Sequence, residues 1–345
     1  MKILVTGGAG VVGVPLMRMI GGRHEVVALA RHRSVDHADT VVRGDLTQPE
    51  LGLSSADRDL VLDGLDCVVH CAANVIFDAG AEAMNAVNVD GTRRVLALAQ
   101  AAGARFVHVS TAFVEMDLPP DSSGGYATLR PSEYLESKRA GEALVRASGL
   151  PYAIVRPSAI SGDSFTGEIT EYQGVHSVSR SLLRNTVPLF LCAATARFDL
   201  VPCDVVAAMI AAVVESEVGG VFWATMGPNS MTADRLLAIV AEVAAEQGIR
   251  YEGTRRADPE VFERLLKPAF FDELADREKT KMANLMTTVA ALFPRDPMPT
   301  SLGTIPNAPA EYSTADAENV MRTTLRYLID REGLAARELM KEVVA

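Results

Sequence analysis

The run Val5-Thr6-Gly7-Gly8-Ala9-Gly10-Val11-Val12-Gly13 sets three glycines at the spacing G-x-x-G-x-x-G, directly behind the apolar residues Ile3 to Val5. A buried strand that turns at once into a helix requires such a pattern. Gly7 permits the turn, Gly10 lets bare backbone approach an anion, and Gly13 allows the helix to pack closely on the strand. A helix from about Val11 to Ile20 and a second strand from Glu25 to Leu29 complete a βαβ unit within about 30 residues. Alone, the glycines would equally suit a turn without ligand; in this setting they predict dinucleotide binding through Gly7, Gly10, Val11, Val12 and Gly13.

The alternation continues. Val-rich runs near 2–6, 25–29, 40–42, 67–71, 105–109 and 152–156 alternate with amphipathic stretches, which predicts a doubly wound parallel sheet of the Rossmann type. One of those stretches, Glu82 to Ala101, carries Val87, Val95, Leu96, Leu98 and Ala99 at helical spacing, with Arg93 and Arg94 expected on a solvated face. Past residue 157 the alternation breaks down. Helices Asp204–Glu217, Thr232–Gln247 and Asp316–Arg331, the last started by Ser313 or Thr314, predict a smaller, mostly helical substrate lobe. The expected division is a nucleotide-binding domain over 1–156 and an interlocked lobe over 157–345. Met282, Leu285, Met286, Val289 and Leu292 fall at helical spacing, read as ordinary helix packing in preference to the wall of a lipophilic pocket.

At 345 residues the chain can bury a large core, and its net charge of −11 argues against a nucleic-acid partner. Its longest apolar stretches, such as Val205 to Val214, are about half the roughly 20 residues a bilayer span requires. Because Met1 is followed at once by a core strand, no signal peptide is expected and the cytoplasm is the expected compartment. The four cysteines, Cys67, Cys71, Cys192 and Cys203, lack the spacing of a zinc site and read as buried free thiols; no metal is expected.

Chemistry concentrates in a few places. Tyr134 and Lys138 stand four apart in a predicted helix and so share a face, where an ammonium can stabilise a phenolate and make the phenol a general acid. Ser110 and Thr111 end the strand 105–109 at its C-terminal edge, where ligands of open α/β sheets sit and a hydroxyl can hold a substrate oxygen. Ala72 and Ala73, after the strand ending at Cys71, are small enough for a cofactor to pass over. The second strand ends Leu29-Ala30-Arg31-His32-Arg33 without the acid that takes a ribose 2′-hydroxyl; Arg31 suits a 2′-phosphate and favours NADPH over NADH. His70 and His108 lie in core strands and read as hydrogen-bonded core histidines.

These elements and their order resemble the extended branch of the short-chain dehydrogenase/reductase superfamily. Three segments are similar to the reductases of acyl thioesters: Val69-His70-Cys71-Ala72-Ala73-Asn74-Val75-Ile76-Phe77, Val107-His108-Val109-Ser110-Thr111-Ala112-Phe113-Val114, and Arg156-Pro157-Ser158 leading to Gly162–Gly167. That group holds the terminal reductase domains of carboxylic acid reductases and nonribosomal peptide synthetases, and the fatty acyl-CoA reductases related to male-sterility proteins; the similarity covers roughly residues 1–215. The resemblance implies Thr111, Tyr134 and Lys138 as catalytic residues and Lys138 also as a ligand of the nicotinamide ribose. It implies Asp45 and Leu46 at the adenine, Pro157 and Ser158 beside the nicotinamide, and Asn88 as a support of the active-site helix. The substrate it implies is a carbonyl compound or acyl thioester on CoA or a carrier protein, reduced to aldehyde or alcohol; a homodimer stays open. Arg250, Arg255, Arg256 and Lys267 form a candidate docking patch. The alternatives are a ketone or aldehyde reductase of the hydroxysteroid-dehydrogenase or dihydroflavonol-reductase type, and a dinucleotide-binding sensor without turnover.

Overall fold

The computed structural model describes residues 1–116, 127–187, 189–262, 264, 267 and 273–335. In chain order the first half forms β1 (Lys2–Thr6), α1 (Gly13–Ile20), β2 (Glu25–Ala30), β3 (Thr40–Arg43), α2 (Ser55–Leu62) and β4 (Leu65–His70). It continues with α3 (Thr92–Ala102), β5 (Arg105–Val109), α4 (Pro131–Ala147) and β6 (Tyr152–Pro157). The second half supplies α5 (Gly174–Leu183), α6 (Cys203–Glu215), β7 (Gly220–Ala224), α7 (Ala233–Glu246), α8 (Asp276–Leu292) and α9 (Thr314–Glu332).

Seven strands pair in parallel in the order β7-β6-β5-β4-β1-β2-β3. The sheet is covered on both faces, which is why its strands read as nearly unbroken apolar runs. Ile3, Val5, Val26 and Val107 pack with Leu16 and Met17 of α1 and Val206, Ile210 and Val213 of α6. On the opposite face Leu4, Val27, Val68, Phe106 and Ile154 meet Val61 of α2, Val95 and Ala99 of α3, and Val145 of α4. A third core joins Leu182, Leu236, Val240, Val289, Leu292, Val320 and Leu328 of the C-terminal helices to Leu135 of α4, with Tyr134 packed against it. Helix α4 therefore touches both the sheet and the helical lobe. The doubly wound sheet and helical C-terminal part agree with the sequence.

Two elements differ from expectation. The stretch 82–101 is not one helix: a short helical turn, Ala81–Asn85, leads into a wider π-type turn over Ala86–Gly91, and α3 starts only at Thr92. The extra residue in that turn carries Asn88 inward, and such bulges recur at functional sites. The strand β7, a five-residue run between helices, has no neighbouring pattern to mark it, yet it extends the sheet beside β6. Arg94, expected to be solvated, donates to the carbonyl of Leu46 (2.8 Å). The C-terminal helices follow their sequence signals: Ser313 caps α9, accepting from the Asp316 amide (3.2 Å) while Asp316 accepts from the Ser313 amide (2.9 Å). In α8, Leu285, Val289 and Leu292 face the lobe core while Met282 and Met286 pack near Phe262 and Leu191.

Candidate active site

The glycine turn is shaped by backbone contact. Gly7 has φ +76°, and a methyl group there would stand 2.6 Å from the amide nitrogen of Ala72. At Gly13 it would overlap the Gly7 carbonyl oxygen, so this position lets α1 start tight against β1. Gly10 differs: a methyl there would meet only the Gly7 oxygen, at 3.2 Å, leaving its other side open. No side chain caps α1, whose N-cap is Val12. Because the Val12 side chain is buried in the core, only backbone N–H groups of Val11, Val12 and Gly13 are offered at this end. A helix start of this kind, open and uncapped, fits a pyrophosphate.

Below this turn a chain of hydrogen bonds fixes the floor. Thr92 donates its hydroxyl proton to the Asn88 carbonyl (2.8 Å), so the bond between His70 Nε2 and Thr92 Oγ1 (3.0 Å) is donated by the histidine. His70 Nδ1 is then the acceptor from Thr6 Oγ1 (2.7 Å), and Thr6 in turn accepts from the Ala72 amide (3.3 Å). Burial, with the field of Lys138 added, pushes this imidazole down to about 3, which keeps it neutral and the chain intact. His70 is thus the hydrogen-bonded core histidine the sequence suggested. His108 is also buried and neutral, stacked on His70, but among the described residues neither of its ring nitrogens has a hydrogen-bond partner. Asn88 is a brace: it accepts from the Asn74 amide (2.7 Å) and donates to the Asn74 carbonyl (2.9 Å) and to Ser137 Oγ (2.9 Å), joining the loop after β4 to α4.

Thr111, Tyr134 and Lys138 converge beside the end of β5. Thr111 donates to the Pro157 carbonyl (3.4 Å) and accepts from the Phe113 amide (3.4 Å). The Tyr134 phenol lies beside that hydroxyl. Burial pushes the phenol up to about 12, and the neighbouring Thr111 hydroxyl offsets only part of the rise. Lys138, 4% exposed, donates from Nζ to the Val109 carbonyl (2.7 Å). Burial pushes its ammonium down to about 8, with Glu142 and then Cys71 acting in the opposite sense. Phe77 packs on the Tyr134 ring with centroids 5.5 Å apart, and its neighbours Val75 and Ile76 are 48% and 57% exposed. An apolar lip therefore borders the hydroxyl pair. Ser158, buried just past β6, sits beside the Asp199 carboxylate, which also accepts from the amides of Met226 (2.9 Å) and Gly227 (2.8 Å).

At the adenosine end the geometry is looser. Arg31 is exposed immediately after β2, near Asp45. Asp45 accepts from the Thr47 amide and hydroxyl, both 2.8 Å, so one carboxylate oxygen braces its own turn. Those bonds hold its carboxyl below the usual range, with Arg31 and His32 contributing. Leu46 is buried in the core, and Ala72 and Ala73 are partly exposed. The four cysteines are free; Cys67, Cys192 and Cys203 are buried and Cys71 partly so. Of the basic patch, Arg256 pairs with Asp234 (2.8 Å) and Arg250 with Glu252 (3.5 Å), so these two charges are already matched.

One group escaped the sequence reading. Glu142 takes a bidentate hydrogen bond from Arg156 (2.8 and 2.7 Å), and Arg156 also reaches Glu115 (2.6 Å) and lies over the Trp223 ring at 4.8 Å. Its signal was available: Tyr134, Lys138 and Glu142 follow at four-residue steps on one helix face. Asp199 had none, because its partners come from loops 27 and 28 residues away.

A doubly wound sheet with Thr, Tyr and Lys gathered at its C-terminal edge defines the extended short-chain dehydrogenase/reductase class. Within it, residues 23–210 match the family described as male sterility protein, and the chain belongs to that family. Fatty acyl-CoA reductase 1 of Xenopus laevis is 28% identical over 270 residues, which cover 59% of this chain and 52% of the relative. A linear gramicidin synthase of Brevibacillus parabrevis is 31% identical over 204 residues, 48% of this chain and 4% of that one. The chain thus spans about half the length, or far less, of these curated relatives. The crystal structure of the terminal R domain from the myxalamid PKS-NRPS pathway superposes with a TM-score of 0.70 at 24% identity, covering 96% of this chain and 91% of that one, which establishes the shared fold.

Proposed function

We propose that the protein is an NADPH-dependent reductase that converts an acyl thioester, carried on CoA or a carrier protein, to an aldehyde, or to an alcohol after a second reduction. The observation that carries the reading is the gathering of the Thr111 hydroxyl, the buried Tyr134 phenol and the Lys138 ammonium at the C-terminal edge of β5, where Lys138 donates to the Val109 carbonyl (2.7 Å). The names of the relatives, among them fatty acyl-CoA reductases, favour a thioester over a ketone.

The residues fit the cofactor. The open side of Gly10 and the uncapped amides of α1 suit its pyrophosphate, Ala72 and Ala73 leave room for it to cross the sheet edge, and Arg31 suits a 2′-phosphate. Asp45 and Leu46 would border the adenine, and Pro157 and Ser158 the nicotinamide. NADPH, when bound, supplies the hydride. Thr111 holds the carbonyl oxygen, and Tyr134 gives that oxygen a proton as it gains charge, leaving a hemithioacetal whose collapse gives up the hydroxyl proton, breaks the C–S bond and releases the thiol and the aldehyde. Lys138 holds the nicotinamide ribose and, as ammonium, eases the loss of the Tyr134 proton. The apolar lip at Val75, Ile76 and Phe77 offers an acyl chain a surface.

Among the described residues no helix is long and apolar enough to cross a membrane. The test is incubation of the purified protein with NADPH and medium-chain acyl-CoAs, with a ketone panel in parallel. NADPH oxidation and CoA release with the thioesters support the reading; oxidation by ketones alone replaces it with a ketone reductase.

A further inference from the structure

The buried ion pair between Glu142 and Arg156 lies outside the proposed chemistry, yet it touches both elements that build the site. Glu142 is 1% exposed and stands one helical turn beyond Lys138 on α4; Arg156 is 5% exposed and is the last residue but one of β6, directly before Pro157, whose carbonyl accepts from Thr111. The Ser110 hydroxyl also faces the Glu142 carboxylate.

We propose that this pair is a positioning element of the site: Glu142, buried one turn beyond Lys138 on α4, is the counter-charge of its ammonium, and Arg156, bound to that carboxylate, limits its field. The inference rests on the role given to Lys138 above.

The surroundings of Lys138 single out Glu142. From β4 and its end, His70 and Cys71 face the ammonium; from β5, His108; from its own helix, Glu142. His70 and His108 are held neutral by burial, and the Cys71 thiol is pushed up to about 12 and stays protonated. Burial alone would raise the Glu142 carboxyl, but the hydrogen bonds and charge of Arg156 hold it below the usual range, so it is ionised. Of these neighbours only Glu142 carries a charge between pH 6 and 8. A buried carboxylate one turn away favours the ammonium, and a guanidinium bound to that carboxylate cancels part of its field. Glu142 also accepts from Arg146 (2.8 Å), so it keeps a partner when Arg156 is removed.

The two halves of the pair therefore predict opposite shifts, which a purely structural brace does not. The experiment is a pH titration of the Lys138 side-chain 13Cε signal in the cofactor-free, 13C-lysine-labelled full chain, assigned by its loss in Lys138→Met. Glu142→Gln should lower the midpoint by about one pH unit and Arg156→Met should raise it, within the range expected for a close charge. Where either single variant fails to fold, Glu142→Gln/Arg156→Gln leaves neither member of the pair facing a lost partner and should still lower the midpoint. Midpoints that coincide with the parent protein, or that move the same way in both single variants, overturn the proposal. Turnover read across the same pH range separates the two levels. An alkaline limb that follows the midpoints supports both; midpoints that move while the limb stands still uphold the pair and overturn the catalytic role of Lys138.

Discussion

Tyr134 and Lys138 stand one turn apart, and burial acts on them in opposite senses: the phenol is pushed up to about 12 and the ammonium down to about 8. Tyr134→Phe keeps the ring against Phe77 but removes the proton, so turnover should fall by about 10²- to 10⁴-fold while NADPH binding, followed by its fluorescence, persists. Activity should also be lost as pH rises through about 8, because Lys138 is the first of the two to give up its proton. A flat rate profile to pH 10 contradicts this. His70 makes a separate prediction for stability. Its folded value, about 3, lies below the ordinary 6.5, so the unfolded chain binds the extra proton. The contribution is complete above pH 6.5 and is lost as pH falls toward 3, which urea midpoints measured across that window would show. At this scale the sequence disclosed that Tyr134 and Lys138 share one helix face, since they are local neighbours on a helix. It did not disclose their partners: the Val109 carbonyl that receives Lys138 comes from a strand 29 residues earlier.

Among elements, the glycine turn and the π-type turn answer to different physics. In Gly7→Ala the new methyl meets the backbone of Ala72 at a positive φ, which should cost roughly 1–3 kcal/mol and weaken NADPH binding. In Asn88→Ala the Asn74 amide and Ser137 hydroxyl lose a partner, for a cost of roughly 1–3 kcal/mol in urea unfolding. If Asn88 braces α4, that variant should lower the rate more than it raises the KM for cofactor. The first turn was legible because spacing alone dictates it. The second was not: Val87 inside the bulge and Val95 and Leu98 beyond it keep helical spacing, and only the tertiary bonds of Asn88 show why the helix widens there. The strand β7 was missed for a related reason, since five residues without a following repeat carry no period to read.

At the scale of the molecule, one sheet recruits its last strand from the second half and one helix, α4, joins the sheet to the helical lobe. Phe77 packs on Tyr134 of that helix, so the apolar lip at Val75 and Ile76 lies beside the group at the end of β5. The chain carries −11 net charge, so the NADPH proposed as its cofactor would depend on local cations such as Arg31. Arg31→Ala should raise the KM for NADPH while leaving that for NADH nearly unchanged, and equal effects on both would remove Arg31 from the 2′-phosphate. The class of fold was readable from alternating periods; the pairing of Glu142 with Arg156 across α4 and β6 was not, because a separation of 14 positions says nothing of which faces meet. The most direct measurement is single-turnover reduction of a medium-chain acyl-CoA, with NADPH loss, free thiol and aldehyde followed together. Thiol and aldehyde should appear in step with NADPH loss, and should vanish in Thr111→Ala and Tyr134→Phe; NADPH consumed with no thiol released from any thioester would contradict the account.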